Sequence, residues 1–171
     1  MQKNFKQLLN DVTTFIFDVD GVLTDGSVTL LPDGEQVRKM NIKDGYALQL
    51  AVEKGYRVVI ISGGKSESVR TRLSKLGIKD IYLGVQHKLE VYDEYLLTYN
   101  IKAENVLYMG DDIPDYEVMQ RVGIAACPND SAHEIKEISI YISGRKGGHG
   151  CARDIIEQVM RSQGTWEITG W

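Results

Sequence analysis

Short apolar runs alternate with longer amphipathic segments along the chain. The apolar runs are rich in β-branched and aromatic residues, which indicates buried strands. They span residues 13–17, 57–61, 80–83 and 105–109. Each run is followed by a segment with helical spacing of apolar residues, such as Val69, Leu73 and Leu76 after the second run. Alternating strands and helices favour right-handed βαβ units. The pattern therefore predicts an α/β fold, a Rossmann-like parallel sheet with helices on both faces.

A β-hairpin is predicted over about residues 26–41, where two short strand-like runs flank the turn sequence Pro32-Asp33-Gly34. The chain between Ser62 and Lys88 is used up by a helix and a strand. Neither segment leaves room for a separate cap domain. We therefore expect an open site, and its closure by a second subunit is a reasonable hypothesis.

The composition fits one globular domain over residues 1–171 that ends in a tail over about 163–171. The chain has 171 residues, of which 43% are hydrophobic and 26% are charged. Its formal charge of -4 gives no general attraction to nucleic acid or to an anionic membrane. No apolar run approaches the roughly 20 residues that span a bilayer. We expect neither partner and a cytoplasmic location, in which Cys127 and Cys151 are core thiols.

Polar side chains follow the ends of the predicted strands. They are Asp18 and Asp20, then Ser62, then Lys88, and then Asp111, Asp112 and Asp115. Because the carboxyl ends of parallel strands meet at one edge of a sheet, all of them can face a single crevice. A simpler interpretation remains open for some of them, since Asp18 and Asp20 can cap a turn and Ser62 can cap a helix.

The carboxylates of this set suit a bound cation, whereas the other polar groups suit a bound anion. Carboxylate oxygens are ligands that Mg²⁺ prefers, whereas a serine hydroxyl, the amides of Gly63 and Gly64, and the ammonium of Lys88 suit an anion. A divalent cation beside an anion pocket indicates phosphoryl transfer through an aspartyl-phosphate. In this interpretation Asp18 attacks phosphorus, and Asp20 protonates the leaving alkoxide and then deprotonates water.

The chain resembles the haloacid dehalogenase-like phosphatase superfamily in an ordered set of four motifs. They are Asp18-Val19-Asp20-Gly21-Val22, Ser62, Lys88 and Gly110-Asp111-Asp112-x-x-Asp115. The resemblance implies that Asp18 is the nucleophile and Asp20 the acid/base. It also implies a Mg²⁺ site formed by Asp18, the main-chain carbonyl of Asp20, and Asp111.

The same resemblance assigns the remaining groups of the site. It implies that Ser62, with the adjacent Gly63, and Lys88 bind the phosphate. Asp115 is implied as a support for Lys88 or for the metal shell, and Asp112 as an outer-shell group.

Further motifs resemble the cap-less branch of this superfamily that contains 3-deoxy-D-manno-octulosonate 8-phosphate (KDO 8-phosphate) phosphatases. They are Gly21-Val22-Leu23-Thr24-Asp25-Gly26, the hairpin, Lys43-Asp44-Gly45-Tyr46 and Gly147-Gly148-x-Gly150. The resemblance implies hydrolysis of KDO 8-phosphate in lipopolysaccharide biosynthesis. It also implies a homotetramer in which the hairpins build a central barrel and a neighbouring subunit closes each active site. Gly64 is a departure, because the octulosonate enzymes often carry Arg there and the nine-carbon type can carry Glu.

Basic residues near the phosphate end are candidates for contact with a sugar acid: Lys65, Arg70, Arg72, Arg145 and His149. The alternative is that they lie on solvated helix surfaces and in a flexible loop.

Three rival functions remain open. A phosphatase of nine-carbon sugar-acid 9-phosphates differs only in substrate. A phospho-accepting signalling domain uses similar strand-end carboxylates, although an acid/base at Asp20 favours hydrolysis. A non-catalytic assembly subunit would not need the complete set of motifs.

Overall fold

The computed structural model describes residues 4–167, and within them six parallel strands form one sheet and two short strands form a hairpin. The strands are β1 (Thr14–Phe17), β2 (Thr29–Leu30), β3 (Gln36–Val37), β4 (Arg57–Ser62), β5 (Asp80–Leu83), β6 (Val106–Met109), β7 (Ile124–Cys127) and β8 (Tyr141–Ile142). The helices are α1 (Phe5–Leu9), α2 (Ile42–Glu53), α3 (Glu67–Lys75), α4 (Lys88–Tyr99), α5 (Tyr116–Met119), α6 (His133–Ile138) and α7 (Cys151–Ser162).

The order of the strands puts β1 at the centre of the sheet. The order is β5-β4-β1-β6-β7-β8, and each neighbouring pair is parallel. The chain runs from β1 outward through β4 and β5 and then returns to the other side of β1 as β6. This reversal creates a switch point where parallel sheets bind ligands. Asp18 follows β1 directly at that point. The predicted fold class is confirmed.

Side chains of β1 alternate between two apolar layers because successive strand residues point to opposite faces. Phe15 and Phe17 are fully buried in the layer that includes side chains of α2, α3 and α7. Ile16 is fully buried in the other layer, with side chains of α4, α5 and α6. The sheet is thus covered on both faces, and the carboxyl ends of its strands remain available for polar chemistry.

The predicted hairpin is present, and β2 pairs with β3 in antiparallel register, Thr29 opposite Val37 and Leu30 opposite Gln36. Its ladder is shorter than the strand-like runs in the sequence. Between β1 and α2 the chain forms only this hairpin and its flanking turns, and between β4 and α4 it forms only α3 and β5. Neither segment builds a cap.

Element boundaries differ from the sequence pattern where a polar side chain takes a backbone group. The sequence pattern predicts that a helix begins at Asp44. Instead Asn41 starts α2, because its side chain accepts a hydrogen bond from the amide of Lys43 at 2.8 Å, and Asp44 lies inside the helix. The sequence pattern also predicts a short strand over 139–142. The structure reduces it to Tyr141–Ile142, because Ser139 ends α6 and donates to the carbonyl of Ile135 at 2.7 Å.

Cys127 and Cys151 are buried free thiols, as predicted. Residues 168–171 of the predicted tail lie outside the described residues. Across residues 4–167, none of the helices combines the length and the apolar character that crossing a bilayer requires.

Candidate active site

Asp18 is held at the end of the central strand by two donors. Its Oδ1 accepts a hydrogen bond from the amide of Val19 at 2.6 Å, and its Oδ2 lies 2.7 Å from Nζ of Lys88. Asp18 is 7% exposed to solvent. The carboxylate is therefore fixed in orientation and still reachable from the crevice, which suits an attacking group.

Asp115 is the centre of the hydrogen-bond network behind Lys88. Its Oδ1 lies 2.7 Å from Nζ of Lys88 and accepts from the hydroxyl of Tyr108 at 2.6 Å, while its Oδ2 accepts from the amide of Asp111 at 3.1 Å. Asp115 is fully buried. It orients the ammonium of Lys88 toward Asp18 and fixes the backbone at Asp111.

The turn that carries Asp20 depends on Gly21. Its φ is +83°, and a Cβ there would lie 1.9 Å from Oδ2 of Asp111. The hydroxyl of Thr24 accepts from the amides of Gly21 at 3.3 Å and Gly26 at 3.2 Å, which closes the turn. The tight turn brings Asp20 and Asp111 to the same side of the crevice.

The glycine-rich loop packs on this turn. A Cβ on Gly147 would lie 1.9 Å from the carbonyl oxygen of Gly21, and the amide of Gly148 donates to the carbonyl of Val22 at 2.8 Å. The loop therefore supports the turn from behind, and its glycines are needed for close backbone contact.

A cavity of about 380 Å³ joins these groups to the end of β4. It is lined by Asp18, Asp20, Ser62, Gly63, Lys88, Asp111 and Asp112, together with Gly21, Gly26, Gly64, Val85, Gln86 and Pro114. The crevice thus brings together side chains that the sequence placed after separate strands. Asp112 is exposed and accepts from the amide of Ile113 at 2.8 Å. Asp115 lies behind the cavity wall.

The carboxylates are crowded beyond what Lys88 neutralises. Burial and then the charge of Asp115 raise the pKa of Asp18 to about 7, although Lys88 acts in the opposite direction. Burial, followed by the charges of Asp18, Asp115 and Asp112, raises the pKa of Asp111 to about 8. The negative charge of the site therefore exceeds its positive charge, and a divalent cation would offset the difference.

The donor set also fits a metal ion. Asp18, Asp111 and Asp115 each offer a carboxylate oxygen, and these oxygens lie within 4.8 Å of one another. Hard oxygen ligands suit Mg²⁺ and similar ions. Because Asp18 and Asp111 line the cavity and the fully buried Asp115 does not, Asp18 and Asp111 are the carboxylates better placed to bind an ion.

Comparison with known proteins agrees with this geometry. Residues 84–155 match the family model described as haloacid dehalogenase-like hydrolase. The chain is 34% identical over 154 residues to the KDO 8-phosphate phosphatase of Escherichia coli K12, covering 90% of this chain and 82% of that protein. The chain belongs to the KDO 8-phosphate phosphatase family. This family is a group of phosphoric monoester hydrolases within the haloacid dehalogenase-like hydrolases, so the predicted family and enzyme class are confirmed.

Solved structures of this family have the same fold. A KDO 8-phosphate phosphatase from Moraxella catarrhalis, described in complex with magnesium, phosphate and KDO, has a TM-score of 0.91 at 28% identity, covering 94% of this chain and 92% of that one. The cobalt-bound enzyme from Haemophilus influenzae has a TM-score of 0.88 at 28% identity, covering 92% of each chain.

Three of the candidate substrate residues make contacts outside the cavity. Lys65 folds over Gly84, where a Cβ would lie 2.6 Å from its Cε. Arg70 donates to the carbonyl of Ile81 at 3.0 Å. Arg72 lies against α2, since a Cβ on Gly45 would be 2.7 Å from its Nη2. None of the three lines the 380 Å³ cavity.

Arg145 and His149 lie near a different opening. They line a larger cavity of about 950 Å³ beside α7, together with Lys43, Arg153 and Arg161. Within the described part of one chain they are therefore not assembled with Asp18. Their contact with substrate stays a prediction.

Sequence reasoning missed Arg38, a cationic residue of the hairpin. Its guanidinium contacts Asp20 through Nε at 2.6 Å from Oδ1 and through Nη2 at 3.0 Å from Oδ2. The hydrogen bond to Asp20 raises the pKa of Arg38 further above its ordinary value, despite burial. The departure at Gly64 was the available signal, because a Cβ at this position would lie 3.0 Å from Nη2 of Arg38.

Tyr108 and Asp44 were also missed as site-supporting groups. Tyr108 lies in the apolar strand predicted over 105–109, where a buried tyrosine hydroxyl requires a partner. Asp44 was interpreted as a helix start. It instead accepts from the amide of Arg153 at 2.8 Å and so fixes α7.

Proposed function

We propose that the chain hydrolyses KDO 8-phosphate to the free sugar acid and inorganic phosphate through an aspartyl-phosphate on Asp18. The observation that carries the proposal is the fixed Asp18 carboxylate, 2.7 Å from the Lys88 ammonium, in a cavity that Ser62 and Gly63 also line. A nucleophile beside phosphate-binding groups suits phosphoryl transfer, since positioning and charge neutralisation supply most of the catalysis.

The first half-reaction transfers the phosphoryl group to the enzyme. An oxygen of Asp18 forms a bond to phosphorus as the bond from phosphorus to the sugar oxygen breaks. A proton on the Asp20 carboxyl passes to that sugar oxygen. Lys88 and the groups at Ser62 and Gly63 hold the phosphate oxygens.

The second half-reaction restores the enzyme. Water forms a bond to phosphorus, its proton passes to Asp20, and the bond from Asp18 to phosphorus breaks, which releases inorganic phosphate. Asp20 is again protonated and Asp18 again ionised, so the cycle balances without any further reactant.

Mg²⁺ is part of the proposal. Asp18 and Asp111, with the main-chain carbonyl of Asp20, would hold it, and Asp112 would support its outer shell. When bound, it supplies positive charge that offsets the repulsion between a carboxylate and a phosphate. The crowding of Asp18, Asp111 and Asp115 within 4.8 Å supports this assignment.

The substrate rests on the relatives. The KDO 8-phosphate phosphatases of Escherichia coli and Moraxella catarrhalis cover most of this chain. Position 64 carries neither the Arg expected for the octulosonate enzymes nor the Glu found in the nine-carbon type. Nine-carbon sugar-acid 9-phosphates are therefore the competing substrates. Comparing kcat/KM for the two phosphates tests the choice, and a preference for the nine-carbon acid would overturn it.

We also propose a cytoplasmic homotetramer of single-domain chains assembled through the hairpins. Val28, Leu30, Leu31 and Val37 are exposed on this small hairpin, with Leu30 at 71%. An apolar patch of this kind marks an association surface. The buried free thiols of Cys127 and Cys151 suit a reducing compartment.

The deciding experiment measures phosphate release from a panel of sugar phosphates with Mg²⁺. Asp18→Asn is the matched variant, because it keeps the shape of the side chain and removes the nucleophilic carboxylate. Turnover by the original chain and none by Asp18→Asn supports the proposal. A stable phospho-enzyme without turnover would favour the signalling domain, and equal activity of both chains would exclude Asp18 as the nucleophile.

A further inference from the structure

The side chain of Arg38 is enclosed although it comes from an exposed hairpin. It is 4% exposed, whereas the Asp20 side chain that it contacts is 35% exposed. The two residues are 18 positions apart, and the paired contacts at 2.6 and 3.0 Å form a two-pronged arrangement between guanidinium and carboxylate. Asp20 lines the 380 Å³ cavity and Arg38 does not, so the hairpin holds Asp20 without its own side chain lining that cavity.

Arg38 is itself fixed by its own segment. Its Nη1 donates to the carbonyl of Gln36 at 3.0 Å, and its Nη2 lies 3.4 Å from Oε1 of Gln36. A guanidinium held by backbone and carboxylate together has little freedom to rotate. The orientation of the Asp20 carboxylate is thus determined by the hairpin.

Gly64 provides the space for this contact. A Cβ on Gly64 would lie 2.9 Å from Oδ2 of Asp20 and 3.0 Å from Nη2 of Arg38. Any side chain at position 64 would push against the pair. The departure at Gly64 and the presence of Arg38 are two sides of one arrangement.

We propose that Arg38 is a positioning residue for the acid/base Asp20, and that Gly64 is the space the pair requires. This inference rests on the proposed phosphatase function. A carboxylate offers about four lone-pair sites, so the contacts from Arg38 leave others free to carry the transferred proton. Holding the carboxyl in one orientation matters because a displacement of about 1 Å can cost about 10²-fold in rate.

The consequence is a dependence on the leaving group. Phenyl phosphate releases a basic phenolate that needs a proton from Asp20, whereas 4-nitrophenyl phosphate releases a weakly basic one that leaves without help. Loss of positioning therefore slows the first substrate more than the second. General damage to the fold would slow both equally.

The experiment compares Arg38→Met, Arg38→Lys and the original chain on both aryl phosphates with Mg²⁺. Arg38→Met should lower kcat for phenyl phosphate at least about tenfold more than kcat for 4-nitrophenyl phosphate. Arg38→Lys should recover part of the difference. Lys39→Met is the matched control, since Lys39 is the adjacent exposed cation of the hairpin. It should leave the ratio of the two kcat values unchanged.

Gly64→Ala tests the pairing separately. It should produce the same dependence on leaving group, and the double variant with Arg38→Met should be no worse than Arg38→Met alone. An equal loss on both aryl phosphates, or multiplying losses in the double variant, would overturn the role of Arg38 while the phosphatase function stands. No turnover of either phosphate by the original chain would instead overturn the function and this inference together.

Discussion

Nζ of Lys88 lies 2.7 Å from Oδ2 of Asp18, inside a site where the Lys88 side chain is 4% exposed. Replacing Lys88 by Met removes the cation between Asp18 and Asp115. We expect kcat to fall by about 10²-fold or more, because in the proposed mechanism this buried charge stabilises the transition state. Lys102→Met, at a side chain that is 77% exposed, is the control and should keep full activity. Retention of activity by Lys88→Met would exclude Lys88 from phosphate binding.

Gly21→Ala separates backbone strain from damage to the site. At Gly21 a side chain meets both a φ of +83° and Oδ2 of Asp111 at 1.9 Å. Gly34, in the hairpin turn, has a φ of +88°, and apart from its chain neighbours no atom of residues 4–167 lies within 4 Å of its Cβ position. Gly34→Ala should therefore cost only about 1–2 kcal/mol of stability, measured by urea unfolding. Gly21→Ala should cost more and should also abolish turnover, and equal effects would contradict this account.

Metal binding should strengthen as pH rises. The pKa of Asp18 is raised to about 7 and that of Asp111 to about 8, both from 3.8, so the metal-free fold binds protons that the unfolded chain releases. Their stabilising contribution is present below about pH 4 and is lost as pH rises through about 7 to 8. Because Mg²⁺ needs ionised ligands, the rise in Tm on adding it should be larger at about pH 8 than at about pH 6.

The control for this measurement is Asp111→Asn in EDTA and in Mg²⁺. It should lose most of the Mg²⁺-dependent rise in Tm at the higher pH. A rise in Tm that is independent of pH, or unchanged in Asp111→Asn, would place the ion elsewhere.

The hairpin should control assembly. Leu30→Ser changes a side chain that is 71% exposed on β2, and we expect it to lower the tetramer fraction in sedimentation because apolar area is lost from the contact. Leu97→Ser is the matched control, since Leu97 is 85% exposed and belongs to α4 rather than to the hairpin. A fully active monomer of the original chain would contradict closure by a neighbouring subunit.

The sequence pattern predicted those parts of the site that follow directly from strand ends. Asp18, Ser62 and Asp111 each come within two residues of an apolar strand, and a parallel sheet necessarily brings such positions to one edge. Arg38 could not be placed in this way, because it lies beyond a strand of the hairpin and its contact with Asp20 depends on how the hairpin folds back. Asp44 was similarly hidden, since its partner is a backbone amide more than 100 residues away.

Asp44 caps a helix to which it does not belong. Its carboxylate, 2% exposed, accepts from the amides of Gly150 at 3.3 Å and Arg153 at 2.8 Å at the start of α7, where Gly150 has no side chain to do so. Burial raises the pKa of Asp44, while these two amides favour the ionised form. Asp44→Asn keeps one acceptor and turns a donor toward the other amide, so we expect a loss of about 1 kcal/mol.

The loop before α7 supports the turn that carries Asp20, so the loss of stability in Asp44→Asn should also lower kcat. The control is Glu53→Gln, because Glu53 is an exposed carboxylate on the same helix α2. Asp44→Asn should lower both the free energy of unfolding, measured by chemical denaturation, and kcat. The control should change neither quantity. If Asp44→Asn loses stability but keeps kcat, the glycine-rich loop does not depend on this cap, and its contacts with Gly21 and Val22 are sufficient to hold the turn.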